Sequence, residues 1–261
     1  MASESGDIVY SDDFIACLEM LWGEGFLSPG GREEIARMLA GLDLEGAEVL
    51  NIGSGLGAME LILARDHGAG KIVGIDIEAP LIARARAAAA RAGLADVVSY
   101  RLVTPGPLPF PDAAFDVVTS KDAIICVSDK ASLFAEAFRT LRPGGALALS
   151  DWYGGPPPVS AAMEAWMATA PGHYFMETLD NTARILEGIG FRDVETTDRN
   201  AWYLEIARHE VAGLHGANRA RLVHMLGEED ARAWTARVEH KTAAVAHGDL
   251  RPGHLRARKP G

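Results

Sequence analysis

The chain has 261 residues, is 48% hydrophobic and carries a formal net charge of −11 at pH 7. That length suits one large α/β domain, alone or with an added lid. The acidic balance argues against nucleic acid as a partner, since the one basic cluster is the short tail Arg251…His254…Arg256-Ala257-Arg258-Lys259. No apolar run approaches the about 18 residues of a membrane span. The polar, acidic residues 1–7 lack the features of a secretory signal. The two cysteines, Cys17 and Cys126, form neither a disulfide framework nor a zinc spacing. Reduced thiols and a cytoplasmic location are the expectation.

Residues 10–22 carry Phe14, Ile15, Cys17, Leu18, Leu21 and Trp22 at helical spacing. Gly23-Glu24-Gly25 and Ser28-Pro29-Gly30-Gly31 end that helix. A second helix is predicted over 33–42. Strands and helices then alternate: strand 48–52, helix 58–66, strand 71–76 and an alanine-rich helix over 80–92, capped by Gly93. Strands over 97–103 and 115–120 follow, then a helix over 131–141. Arg142-Pro143-Gly144-Gly145 stops it before a strand over 146–151. This alternation predicts a doubly wound α/β fold, a parallel sheet with helices on both faces. After the loop Gly154-Gly155-Pro156-Pro157-Pro158 the pattern changes. Short helices over 160–169 and 178–188, a strand over 191–196, a mostly helical stretch over 200–247 and a last strand over 254–258 complete the chain. The expected organisation is an N-terminal helical lid, 1–30, and a domain over 31–261 with helical insertions around 155–190 and 200–247.

One stretch organises the rest. Val49-Leu50-Asn51-Ile52-Gly53-Ser54-Gly55-Leu56-Gly57 reads as a buried strand, a glycine turn and a helix start. Such a turn lets backbone approach a ligand at a helix N-terminus. Its spacing, Gly53-x-Gly55-x-Gly57, is not the G-x-G-x-x-G of dinucleotide binders, and no P-loop lysine follows. Asp76 ends the next strand, where a carboxylate can accept both hydrogen bonds of a ribose diol. A bare structural turn beside a capping aspartate is the simpler alternative. The coincidence of turn and acid at matching strand ends favours a bound nucleotide-type molecule.

That stretch, together with Gly74-Ile75-Asp76-Ile77, Leu108-Pro109-Phe110-Pro111-Asp112, Phe115-Asp116-Val117-Val118 and Leu141-Arg142-Pro143-Gly144-Gly145, resembles the successive motifs of class I S-adenosylmethionine-dependent methyltransferases. These segments cover roughly 45–155. The glycine-rich segment 23–31, Ser120-Lys121-Asp122-Ala123-Ile124 and the tail Gly253-His254-Leu255-Arg256 narrow the resemblance to the phosphoethanolamine N-methyltransferase branch. The resemblance implies a Rossmann-like methyltransferase sheet, S-adenosyl-L-methionine as cofactor, and an N-terminal helix that closes as a lid. It implies that Ser28, Gly53, Asp76 and Asp122 lie near the donor, and Asn51, Ser54, Gly55, Ile77, Thr104 and Lys121, in or beside the same motifs, complete the candidate donor-binding set. Tyr10 matches by spacing a tyrosine over the reacting nitrogen, and since a nearby carboxylate or phenol can help an ammonium lose its proton, Asp122 and Tyr10 are the catalytic candidates. Trp152, Tyr174, Cys126 and Arg256 fall at acceptor positions.

The departures are specific. Asn51 stands where the family usually has an aspartate, and Thr104 where an aspartate usually contacts the adenine amine. Cys126 replaces a histidine that sits with the tyrosine over the reacting nitrogen. Gly172 replaces a phosphate-binding arginine, and Arg256 a phosphate-site lysine. A degraded phosphate clamp beside intact donor motifs predicts methyl transfer to a small, non-phosphorylated amine or amino acid. Two alternatives stand: an S-methyltransferase acting on a small thiol or thioether, and a non-catalytic S-adenosylmethionine-binding protein. The eight histidines show no metal-ligand spacing, so no metal is expected. Oligomeric state and acceptor identity are left open. Because an amide replaces the usual carboxylate, Asn51→Asp is expected to bind the donor equally or more tightly.

Overall fold

The computed structural model describes residues 10–169 and 172–261. The first nine residues of the expected lid therefore lie outside the described residues. Strands β1 (Glu48–Ile52), β2 (Lys71–Asp76), β3 (Val98–Leu102), β4 (Phe115–Lys121), β5 (Leu141–Gly154), β6 (Arg192–Asp198) and β7 (Leu250–Arg258) form one sheet in the order β3-β2-β1-β4-β5-β7-β6. The first five are parallel, and β7 runs antiparallel between β5 and β6. The strand order reverses at β1, which has β2 on one side and β4 on the other. Ligands of open α/β sheets bind in the crevice outside the strand carboxyl ends at such a reversal. The glycine turn leaves β1 at that point.

Both faces of β1 are covered, so Val49, Leu50 and Asn51 are all buried irrespective of alternation. Val49 faces a core made with α2 (Gly31–Met38), α3 (Ala58–Asp66) and α4 (Ala79–Arg91), which contribute Ile35, Met38, Leu63, Ile82 and Ala85. Leu50 faces the opposite core, where α5 (Lys130–Thr140) and α7 (Leu179–Ile189) supply Phe134, Ala137 and Leu186. Each large side chain buried in this way contributes about 1.5–3 kcal/mol. Helix α7 thus belongs to the sheet's own outer layer. The sequence grouped it with an insertion because its apolar stripe does not reveal which partner it covers.

A third layer holds α6 (Ala161–Ala168), α8 (Asn200–His215), α9 (Arg219–Leu226) and α10 (Glu228–His247). Helix α1 (Asp12–Trp22) docks on it, with Cys17 among Leu214, Leu222, Ala231 and Val238. Buried Glu210 fastens the two ends of the chain. It accepts hydrogen bonds from Trp22 Nε1 at 2.7 Å, Lys241 Nζ at 3.2 Å and Tyr203 OH at 3.1 Å.

Element boundaries follow local chemistry. Helix α1 starts at Asp12 because Ser11 caps it, accepting from Phe14 N at 3.2 Å, which leaves Tyr10 outside the helix. Strand β7 begins at Leu250, earlier than expected, because β5 pairs with it as far as Gly154–Leu250. The Arg142–Gly145 stop is absorbed into β5 as an irregularity opposite Phe115 and Val117. Among the described residues no helix is long and apolar enough to cross a membrane, and no group of histidine, cysteine or acidic residues could hold a metal ion.

Candidate active site

The glycine turn is built for close approach. Gly53, Gly55 and Gly57 have φ of 78°, 53° and 88°, a region that side chains disfavour. A Cβ on Gly53 would lie 2.2 Å from that of Ala123, and one on Gly57 would lie 2.3 Å from the Tyr100 hydroxyl. Asp76 reaches across from β2, its carboxylate accepting from Gly55 N at 2.8 Å and Glu78 N at 3.0 Å. In front of the turn opens a cleft of roughly 400 Å³, lined by Leu27, Ser28, Asn51, Gly53, Gly55 and Lys121 among others. Ile77 and Thr104 lie exposed at the neighbouring ends of β2 and β3, joined by Val103 N donating to the Asp76 carbonyl at 3.0 Å.

Lys121, at the end of β4, ties the site together. Its Nζ donates to Ser28 Oγ at 2.7 Å, to the Pro29 carbonyl at 2.9 Å and to Asp122 Oδ2 at 2.6 Å. The Lys121 and Asp122 side chains are only 7% and 8% exposed, so the pair is largely shielded from water. Asp122 adopts φ of 55°, a conformation that aspartate tolerates better than most residues.

Asn51 does not present its amide to the cleft. Its Nδ2 donates to Glu60 Oε1 at 2.7 Å, and its Oδ1 accepts from Thr119 Oγ1 at 3.1 Å. Burial pushes the Glu60 carboxyl up to about 7 against the opposing pull of the Asn51 bond. Its other oxygen, like Ser54 Oγ, is buried without a hydrogen-bond partner. Asn51 thus turns to Glu60 on α3, behind the turn.

A second cavity, roughly 800 Å³ including its open mouth, shares Leu27 and Ser28 with the first. Tyr10, Asp122, Cys126, Trp152 and Tyr174 all line it, so the structure gathers these sequence-predicted residues in one place. Trp166 stacks on Tyr174 with centroids 5.2 Å apart, and Trp152 meets Tyr203 edge-on at 4.7 Å. Burial raises the Tyr10 phenol, and it pushes the Cys126 thiol up to about 12, helped by Asp151. Both are protonated at neutral pH. Buried Asp151 sets the wall by accepting from Ile125 N at 3.1 Å and Trp152 N at 2.7 Å.

Arg256 is the exception. Its guanidinium bonds the Ala40 carbonyl and, at 2.9 Å, Glu195 Oε2, away from both cavities. Strand alternation decides this: β7 directs Arg256 toward α2 and β6. The cavity's cations come instead from α10, as Arg237 and Lys241. Sequence reasoning missed them. The only available signal was their i, i+4 spacing, which places both on one helix face with Trp234 one turn earlier.

Residues 50–149 match the family model described as a methyltransferase domain. A phosphoethanolamine N-methyltransferase of Triticum aestivum is 28% identical over 242 residues, which are 91% of this chain and 47% of that protein. The chain therefore spans about half the length of such curated relatives. Haemonchus contortus phosphoethanolamine N-methyltransferase 2, solved with phosphomonomethylethanolamine and S-adenosylhomocysteine, superposes with a TM-score of 0.88 at 23% identity over 97% of this chain and 59% of that one. A proposed sarcosine dimethylglycine methyltransferase from Galdieria sulphuraria superposes with a TM-score of 0.82 at 22% identity, over 95% of this chain and 97% of that one. With the glycine turn, Asp76 and this sheet order, residues 50–149 carry a methyltransferase domain, and the chain as a whole is similar to S-adenosylmethionine-dependent methyltransferases of the phosphoethanolamine N-methyltransferase branch.

Proposed function

We propose that this chain transfers a methyl group from S-adenosylmethionine to a small amine or amino acid that is not phosphorylated. The observation that carries the reading is the meeting of two cavities at Ser28, Lys121 and Asp122, one walled by the glycine turn and one by aromatic rings. The residues present fit the donor. Gly53 and Gly55 line the cleft without side chains, the Asp76 carboxylate retains acceptor capacity beyond its backbone bonds, and Ile77, 46% exposed, offers an apolar face beside it. Gly53, Gly55, Asp76, Ile77 and Ser28 would hold it. When bound, S-adenosylmethionine supplies an electrophilic methyl group on a sulfonium.

The protein's own task is alignment, exclusion of water and removal of one proton. An ammonium cannot attack until it loses a proton. The Asp122 carboxylate is the group in the acceptor cavity able to take it. Tyr10, kept protonated by burial, orients the nitrogen through its hydroxyl and does not act as a phenolate base. Trp152, Trp166 and Tyr174 surround the cavity with ring faces that tolerate positive charge. The segment holding Ser28 and Pro29, anchored by Lys121, shields the junction from solvent as a lid.

A radiolabelled methyl-transfer assay tests the proposal with ethanolamine, glycine, their N-methylated forms and phosphoethanolamine. Methylation of an unphosphorylated amine is the expected result. Efficient turnover of phosphoethanolamine refutes the restriction to unphosphorylated acceptors. Volatile methyl sulfides from a thiol panel would shift the acceptor class, and donor binding without any methylation would support a binding role alone.

A further inference from the structure

Among the described residues, three cations touch the acceptor cavity or its junction with the donor cleft. Lys121 is paired with Asp122 at 2.6 Å, and Lys241 with Glu210 at 3.2 Å. Arg237 differs. Its guanidinium bonds the Thr169 carbonyl, the Thr169 hydroxyl at 3.0 Å and the Tyr174 hydroxyl at 3.4 Å, and it lies over the Trp166 ring at 5.7 Å. Among the described residues it forms no ion pair. A half-buried guanidinium without a carboxylate is costly, and burial here weakens its hold on its proton. Gly172, two residues before Tyr174, carries no side chain, and among the described residues Arg237 is the guanidinium bonded to the Tyr174 hydroxyl.

We infer that Arg237 is the specificity-determining residue of the acceptor site and binds the carboxylate of a zwitterionic amino-acid acceptor. This rests on the proposed methyl transfer and deepens it. A guanidinium fork matches a carboxylate bidentately. The charge also fits. Lys121 and Lys241 are already neutralised, leaving one positive charge, which balances a carboxylate; a phosphomonoester brings about −1.5 to −2. Trp166 stacks on Tyr174 and holds the phenol that positions Arg237, so the anion site is braced before ligand arrives. The amine end of the acceptor then reaches toward Asp122 in the same cavity.

The experiment compares wild type, Arg237→Gln and Arg237→Lys on matched acceptors, glycine against methylamine and sarcosine against dimethylamine, with phosphoethanolamine as a further arm. KM and kcat are measured separately. Arg237→Gln is expected to raise KM for the carboxylate-bearing acceptors about 10- to 100-fold. Its kcat should change little, and the simple amines should be unaffected. Arg237→Lys should recover part of the loss. Equal losses on both members of each pair, or a loss concentrated on phosphoethanolamine, overturn the inference. A second readout needs no turnover: titration of glycine and sarcosine into protein saturated with S-adenosylhomocysteine, followed by tryptophan fluorescence. Carboxylate-dependent quenching that disappears in Arg237→Gln and is partly retained in Arg237→Lys supports the site, and its absence in wild type refutes it. Failure of methyl transfer to every acceptor, with this binding intact, would instead refute the proposed reaction.

Discussion

Asn51→Asp probes the buried pair beneath the glycine turn. Asn51 is 2% exposed and Glu60 fully buried, and the amide donates to the carboxyl at 2.7 Å. The substitution removes that donor and sets a second carboxyl against one already raised from 4.5 to about 7. The sign follows from linkage. A carboxyl whose folded-state value is raised favours the protonated fold, so its relative stabilisation is complete below about pH 4.5 and is lost as pH rises through 7. For Glu60 alone, the rise from 4.5 to about 7 amounts to roughly 3 kcal/mol. With a second carboxyl at position 51, the two must share one proton. At about pH 6 the variant should lose about 1 kcal/mol, for a rearranged hydrogen bond. At about pH 8 the loss should reach roughly 3–5 kcal/mol, because an uncompensated charge is then buried. Urea denaturation at both pH values reads this, and calorimetry with S-adenosylhomocysteine reads the donor site. Donor affinity should weaken with stability as the turn shifts, which reverses the expectation drawn from sequence. Glu60→Gln in the same background should restore stability at the higher pH. A variant as stable as wild type at pH 8 that binds the donor more tightly would refute this reasoning.

Three further outcomes are expected. Gly53→Ala combines a φ of 78° with a 2.2 Å approach to Ala123, so calorimetry should find donor binding weakened by at least 10-fold and thermal melting should find a loss of about 1–3 kcal/mol. Lys121→Met releases Ser28 and Pro29 and leaves the Asp122 carboxylate without its partner; steady-state kinetics should show kcat/KM falling about 100-fold, and a near-normal value would remove Lys121 from the site. Cys126, held near 12, should resist iodoacetamide in the folded protein at about pH 8, and Cys126→Ala should keep most activity; rapid labelling would show that the thiol ionises after all.

The local devices were legible from the chain alone. The glycine turn declares itself because only glycine accepts that backbone, and Asp76 because an acid at the neighbouring strand end is placed by period-two geometry. Strand and helix alternation was enough to predict the doubly wound sheet, since short crossovers and fixed handedness leave little choice of topology. What lay beyond reach were contacts between distant segments. Asn51 reads as a weakened ligand in the sequence, but its partner Glu60 lies behind the turn on α3, and only packing brings them face to face. Arg256 sits in a motif-like tail, yet strand alternation and the pairing of β7 between β5 and β6 direct it away from the cavity. Arg237 and Lys241 sit on a helix with no local signature, and they reach the aromatic-lined cavity because α10 packs against α6 and α8. Sequence carried the proposed donor side, where the backbone shape of the turn is encoded by neighbouring residues. Only the tertiary structure assembled the proposed acceptor side, where charge and aromatic surface converge from elements whose spacing along the chain carries no trace of their meeting.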